Sequence, residues 1–533
     1  MRRRQRRDAV RGSGPSLPAA SYSSSWCPHH RVWRFLRPPP SFSRQLAARG
    51  AKTAILSTYP GEAATFQSGS CCPEPITVRG WPRDPSTLVG YSVAFDTVER
   101  AFAADRGEGD LCAYDLVLLA LPAFAHDAYL NALAPWIEKS ANAHAHRPPC
   151  VLAAAVAQGG FDLAARNALQ AARAHKTVVV AGLETLPWTC RARRRPTGGH
   201  DVDIGGTKHE VDVAISVHPV TANTTGDLIE HGARALDVLQ CAVGENPLLV
   251  VASGFLGVSM MNINALWHPA LMYHRWKNWD GRETFTEPPL LYEVACDEAG
   301  ITISAMSIEV KAVIDALKAE FGDELVDDLH SVRTAHEWFV RSYGDQPGID
   351  TTSVATMLRT NPAYKGLTHP MKPVEEGVQS DVAPRLVPDF KHRYLTEDMP
   401  YGLVVFRGVA ELVGIPTPTI DTVISWAQTA AGKTYLAAAK PGGHGISETE
   451  LPASPGEAGT LRLTGESVAE SRCPQRYGFF ELNWFMKNSG YVTTPSAGKN
   501  DDAGWFRIPK VKGSSDDVTG AMEPEQPRSP AAA

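Results

Sequence analysis

The chain has 533 residues, 43% apolar and 21% charged, the balance of an ordinary globular protein long enough for two or three cored domains. Its net charge of −6 hides an asymmetry: residues 1–50 carry eleven Lys/Arg against the single acid Asp8, so the remaining body is strongly acidic and nucleic acid is a poor partner. No apolar run reaches the ~18 residues of a membrane span, and the nine cysteines, odd in number and without a CxxC pair, fit a reducing, cytoplasmic location.

The first forty residues are Arg- and Ser-rich and acid-poor. That composition is similar to an organellar transit peptide, the plainer reading being a tail outside the fold. Residues 41–245 alternate helix and strand. FSRQLAARG reads as a helix ending at Gly50, KTAILSTY as a strand, and YDLVLLALP as a strand buried on both faces of a parallel sheet. PCVLAAAVA and KTVVVAG are two more strands; HDAYLNALAPWIEKSA and DLAARNALQAARAH are the Ala-rich helices between. This alternation predicts an α/β, Rossmann-like doubly wound sheet, with ligands beyond the carboxyl ends of its strands. The polar stretches just past those ends, AQGGFD and LETLPWTCR, are therefore candidate ligand contacts.

PLLVVASGFLGVSMM reads as a buried strand with its loop. From 246 to 440 helical periods take over and predict an all-helical second domain. SIEVKAVIDALKAEF places Val310, Val313, Ile314 and Leu317 on one face. Pro400 marks a helix start and Gly414 its end. Residues 441–467 read as a flexible insert, 468–480 as the end of the helical domain, and 481–533 as a polar, disordered tail.

Two clusters have the residue types of acid–base chemistry. In NALWHPALMYH, Pro269 suits the first position of a helix, so His268 reads as the residue capping it. A helix N-terminus lowers a histidine's pKa and a nearby carboxylate raises it, so such a group can titrate near neutrality. RYLTEDMPYG, residues 393–402, reads either as a charged, solvated loop or as half an active site, with Asp398 two residues before Pro400. His274, six residues beyond His268, falls on another helix face. The two histidines of AHAHR read as surface residues, and no metal is expected.

Several long stretches, taken in order, carry a resemblance. YDLVLLALPAFAHDAYL, AQGGFD, ETLPWTCR, GTK, HPALMYHRWKNWDG, FVRSYGDQ, NPAYKGLTHPM, VPDFKHRYLTEDMPYGLVVFRGVAELVGIPTP and CPQRYG together resemble the octopine dehydrogenase family of opine dehydrogenases over roughly residues 41–478. The resemblance implies a dinucleotide-binding domain followed by a helical opine domain. It also implies NADH-dependent reductive condensation of pyruvate with the amino group of an amino acid, carried out in the cytoplasm by a single chain. It puts the catalytic histidine at His268, its carboxylate partner at Asp398 and the pyruvate-carboxylate arginine at Arg393. Gln158, Glu184, Thr185 and Cys190 fall near the substrates, and Leu121 and Pro122 near the NAD(H) cofactor. A planar guanidinium grips a carboxylate with two parallel hydrogen bonds, which a lysine does not reproduce.

Departures from the family keep other readings open. VWRFLRPPPS stands where a strand and a glycine-rich phosphate loop belong. VWRFL can fill the strand slot, but the three prolines offer no N–H to a phosphate. STYPGEA lacks an acid at the usual ribose position and an arginine for a 2′-phosphate. Leu266 and Trp267 replace Tyr and Ile, which leaves the amine substrate open. A catalytically impaired relative and an NADPH-linked dehydrogenase of the same fold are the alternatives.

Overall fold

The structure, a computed structural model, describes residues 32–36, 111–194, 200–217, 225–322, 329–374, 385–438, 461–491, most of 52–103, and Phe506–Arg507, apart from short gaps. Its main sheet contains β1 (Val32–Leu36), β2 (Lys52–Leu56), β3 (Val93–Phe95), β4 (Leu116–Leu119), β5 (Cys150–Ala154), β6 (Val178–Leu183), β7 (Glu210–Val217) and β8 (Leu248–Val250). The order across the sheet is β8-β7-β6-β5-β4-β1-β2-β3, with Phe506–Arg507 added against β7. Strands β1 to β6 are parallel, β7 is antiparallel to β6, and β8 is parallel to β7.

This is the expected doubly wound sheet. Chain order reverses between β1 and β4, the switch point where such sheets open a ligand crevice. Strands β4 to β6 are almost wholly buried, because helices cover both faces. Strand β1 pairs in register with β2 and β4, Val32 opposite Lys52 and Arg34 opposite Val117. VWRFL thus takes the central slot, and the assignment of residues 1–40 to a tail is corrected at this point. The helix expected over FSRQLAARG and the segment RPPPS lie outside the described residues.

A second, mixed sheet was not anticipated. Trp188–Arg194 pairs with His200–Thr207, which continues to Ile76–Arg79 and Ser86–Leu88. The second half of LETLPWTCR is therefore strand, not loop. The boundary expected at 246 shifts too, since β8 still belongs to the main sheet and helices begin at Phe255–Met260, all six residues buried.

The helical domain is built around Asp297–Phe321, whose expected face buries Val310, Val313, Ile314 and Leu317. Ile263–Trp276, Val404–Val413 and Pro418–Ala431 pack on it. Gly414 ends its helix in the left-handed conformation, φ 80°, as the sequence suggested. Among the described residues no helix is long and apolar enough to cross a membrane.

The carboxyl-terminal part is better packed than its composition suggested. Leu461–Arg462 pairs with Ala437–Ala438, and Leu463 and Ser467 are buried, so the insert ends before 461. Residues 482–488 form a helix with Phe485 and Met486 in the core, and the Tyr491 hydroxyl donates to Asp162 at 2.8 Å. The expected tail from 481 is corrected accordingly. Polar residues dominate the count there, but FFELNWFM carries the aromatic anchors. Phe485→Ala is expected to cost about 3–5 kcal/mol of folding free energy, read from urea unfolding; a loss under ~0.5 kcal/mol would return the segment to a surface tail.

Candidate active site

His268 lies inside the helix Ile263–Trp276, which starts six residues earlier than expected, with Asn262 as its N-cap. The proline rule misplaced the start because Pro269 sits in the helix interior. Ten of the fourteen helical residues are buried, and that packing outweighs the roughly 3 kcal/mol cost of an internal proline. The buried ring of His268 makes three contacts. Nδ1 lies 2.6 Å from Asp398 Oδ2, Nε2 lies 2.8 Å from the Tyr292 hydroxyl, and the ring stacks on Tyr394 at 3.8 Å between centroids. Tyr292 was not singled out in the sequence. Burial holds its phenol well above the ordinary range, so it stays protonated.

Asp398 flanks a π-helical turn, Met399–Leu403, with Pro400 in its first turn. Such widened turns recur at functional sites. The turn docks on the AQGG loop of the sheet domain. Gly159 N–H donates to Tyr401 O at 2.7 Å, and a Cβ on Gly159 would meet that oxygen at 2.7 Å, so the loop needs glycine there. Gln158, held at φ 57°, accepts through Oε1 from the Asn262 amide, which also donates to Tyr401 O at 3.3 Å. Gln158 is thus tied to the cap of the His268 helix, and Asn262 is a second contributor the sequence did not reveal.

Arg393 begins the short helix Arg393–Thr396 with its side chain 55% exposed, and its Nε lies 3.0 Å from Glu397. It is open to a ligand while anchored from behind. Leu121 and Pro122 follow the carboxyl end of β4, beside the switch point, and Pro122 caps the helix Ala123–Ala143.

Glu184, just past β6, accepts from Trp338 Nε1 at 2.5 Å and lies 3.9 Å from Arg341, which also binds Asp212 at 2.7 Å. These contacts bolt strands β6 and β7 to the helix Ala335–Tyr343. Its carboxylate is already engaged there, Thr185 follows in the same turn, and half-buried Cys190 lies in the strand Trp188–Arg194. Burial pushes the Cys190 thiol up.

The ribose position also differs from expectation. The turn at 60–62 carries Glu62 back so that its carboxylate accepts from Ser57 Oγ, just past the carboxyl end of β2. An acid five residues beyond Ser57 therefore stands at the end of the second strand. The described half of the crevice fits a dinucleotide's ribose. Among the described residues no metal-binding group of His, Cys, Asp or Glu occurs.

Burial, then the neighbouring Asp212, pushes the Glu184 carboxyl up to about 7. A raised acid contributes stability that is present below the ordinary carboxylate range and lost as pH rises through about 7. Glu184→Gln keeps an acceptor for Trp338, so it is expected to raise the melting temperature over the unmodified chain near pH 8 but not near pH 4. Equal effects at both would show an ordinary, solvated carboxyl.

Residues 251–431 match the family model described as the NAD/NADP octopine/nopaline dehydrogenase alpha-helical domain. The octopine dehydrogenase of Mizuhopecten yessoensis is 35% identical over 369 residues, 69% of this chain and 77% of that protein. The tauropine dehydrogenase of Arabella iricolor is 32% identical over 69% of this chain and 79% of that protein. A solved octopine dehydrogenase with NADH and L-arginine superposes with a TM-score of 0.64 and 28% identity, over 85% of this chain and 97% of that one. Another, with NADH and pyruvate, gives 0.63 and 27%, over 86% and 98%. The chain belongs to the octopine dehydrogenase family.

Proposed function

We propose that this chain is an NAD-dependent opine dehydrogenase, condensing pyruvate with the amino group of an amino acid to give an N-(1-carboxyethyl) amino acid. The observation that carries the site reading is the buried Asp398–His268 pair facing the sheet domain across the docked turn. The amine nitrogen adds to the keto carbon, the keto oxygen leaves as water, and reduction of the C=N bond completes the product. When bound, NADH supplies the hydride. Glu62, Leu121 and Pro122 are the described residues that would hold it, and a carboxylate at the ribose disfavours a 2′-phosphate, which favours NADH over NADPH.

His268 moves the protons. With Asp398 on Nδ1, the neutral ring keeps its proton there and the imidazolium is stabilised. Nε2 is the nitrogen that gives a proton to the departing oxygen, or to the nitrogen that replaces it. In the structure its partner is the Tyr292 hydroxyl, which serves either protonation state, donating to neutral imidazole and accepting from imidazolium. Arg393 grips the pyruvate carboxylate. Gln158 holds the helix that carries His268 through Asn262. We place the reaction on a single chain, since one chain supplies the whole assembly, and in the cytoplasm, where the six described free cysteines stay reduced.

The reading is tested by following NADH oxidation with pyruvate and a panel of arginine, alanine, glycine, taurine and β-alanine. Oxidation that requires both pyruvate and one of the amines supports it, and oxidation with pyruvate alone points to a simple 2-oxo acid reductase. No oxidation from a folded chain that also fails to bind NADH favours the impaired-relative reading.

His268→Ala is expected to keep the fold and lose turnover by roughly 10²–10⁴-fold, the worth of positioned proton transfer. Near-normal turnover would remove His268 from the mechanism. Arg393→Lys is expected to raise KM for pyruvate by about tenfold while leaving NADH affinity close to normal, since the planar fork is lost and a point charge remains. Equal effects on both ligands would make Arg393 a residue for the whole crevice rather than for pyruvate.

A further inference from the structure

Glu397 is a buried acid that the mechanism above leaves unused. It stands between Arg393 and Asp398 in sequence, only 2% exposed. One carboxylate oxygen accepts from the Ala123 backbone N–H at 2.9 Å, and the other lies 3.0 Å from Arg393 Nε. Ala123 is the first residue of the helix Ala123–Ala143, whose N-cap, Pro122, has no side-chain acceptor to offer. A 21-residue helix thus starts at a positive dipole end, and the carboxylate that accepts from its first N–H comes from the other domain. The same residue is held at its carbonyl, because buried Arg472 donates through Nη2 to Ala123 O at 2.7 Å. Burial pushes the Glu397 carboxyl up and the Arg393 guanidinium opposes that rise.

We propose that Glu397 is a positioning residue that caps the Ala123–Ala143 helix from across the domain boundary with one oxygen and aims the Arg393 guanidinium with the other. It ties the cofactor-side loop Leu121–Ala123 to the segment that carries Arg393 and Asp398. The Arg393 half rests on the reading that Arg393 grips pyruvate. The Ala123 half does not depend on it.

Two variants separate the halves. Glu397→Gln keeps a carbonyl oxygen for Ala123 N–H but presents no charge to Arg393. Glu397→Ala removes both. The full chain carrying each change is assayed for KM for pyruvate, turnover, NADH affinity by fluorescence quenching, and melting temperature. Glu397→Gln is expected to raise KM for pyruvate about tenfold, the scale of one lost charge-assisted contact, with turnover and NADH affinity within about twofold of normal. Glu397→Ala is expected to show the same KM change and, in addition, NADH binding weaker by about threefold to tenfold, which the glutamine restores. Normal KM for pyruvate in Glu397→Gln, where Arg393→Lys does raise it, overturns the Arg393 half. If Arg393→Lys leaves it unchanged, the reading of Arg393 has failed instead, and the difference in NADH affinity between the two Glu397 variants alone decides the Ala123 half. Parallel loss of every parameter in both variants, together with a lower melting temperature, makes Glu397 a purely structural acid and overturns the proposal.

Discussion

A carboxylate and an imidazole held 2.6 Å apart, by elements 130 residues distant in sequence, set the requirement that the rest of the structure meets. A contact of that length tolerates little drift, because a hydrogen bond weakens steeply once distance and angle relax. The helix of His268 is fixed at its cap by Asn262, which is fixed in turn by Gln158 on the sheet domain. The turn of Asp398 is fixed by the Gly159 N–H on Tyr401 O. Gly402 lets this turn close on Ala265, one turn before His268, where a side chain would collide with the Ala265 methyl. The dyad belongs to the helical domain, but the sheet domain holds both of its members in place.

Much of this architecture is legible from local pattern. Runs such as LVLLALP are apolar on both faces because both faces are covered, and no helix or edge strand needs that. The stripe of Val310, Val313, Ile314 and Leu317 follows from the helical repeat alone. Gly414 at φ 80° marks a helix end because an L-residue with a side chain is strained there. These features depend on a few neighbouring residues, so a reader of one chain can find them. His268 and Asp398 were candidates from their residue types, but their roles, and that of Arg393, came only through the resemblance, since RYLTEDMPYG reads equally well as a charged loop.

What stayed hidden depends on distance or on competition. Tyr292 and Asn262 act through bonds made after folding, and nothing in PLLYEV or MNINAL marks either residue. Glu62 escaped because a tight turn, not its position along the strand, brings it to the end of β2. Pro269 misled because a local preference met a helix with most of its surface buried, and burial was worth more. The segment 481–491 misled in the opposite way: its composition is polar on average, yet Phe485, Met486 and Tyr491 alone settle where it goes. Composition averages over faces, whereas packing selects one.

The front of the chain separates two requirements that usually travel together. A central strand must satisfy the backbone donors and acceptors of both neighbours, and any extended run with the right register does so, since the ladder is made by the main chain. VWRFL meets that requirement between β2 and β4. A phosphate cradle asks for something different: free N–H groups converging at a helix start, with no side chain in the way. Pro38, Pro39 and Pro40 supply none. The sheet can therefore be complete, and the dyad well held, while cofactor affinity leans more on the groups past β2 and β4 than in a chain with a glycine-rich loop. That shifts weight onto the loop Leu121–Ala123, which is clamped from the helical domain by Glu397 on the Ala123 N–H and by Arg472 on the Ala123 carbonyl.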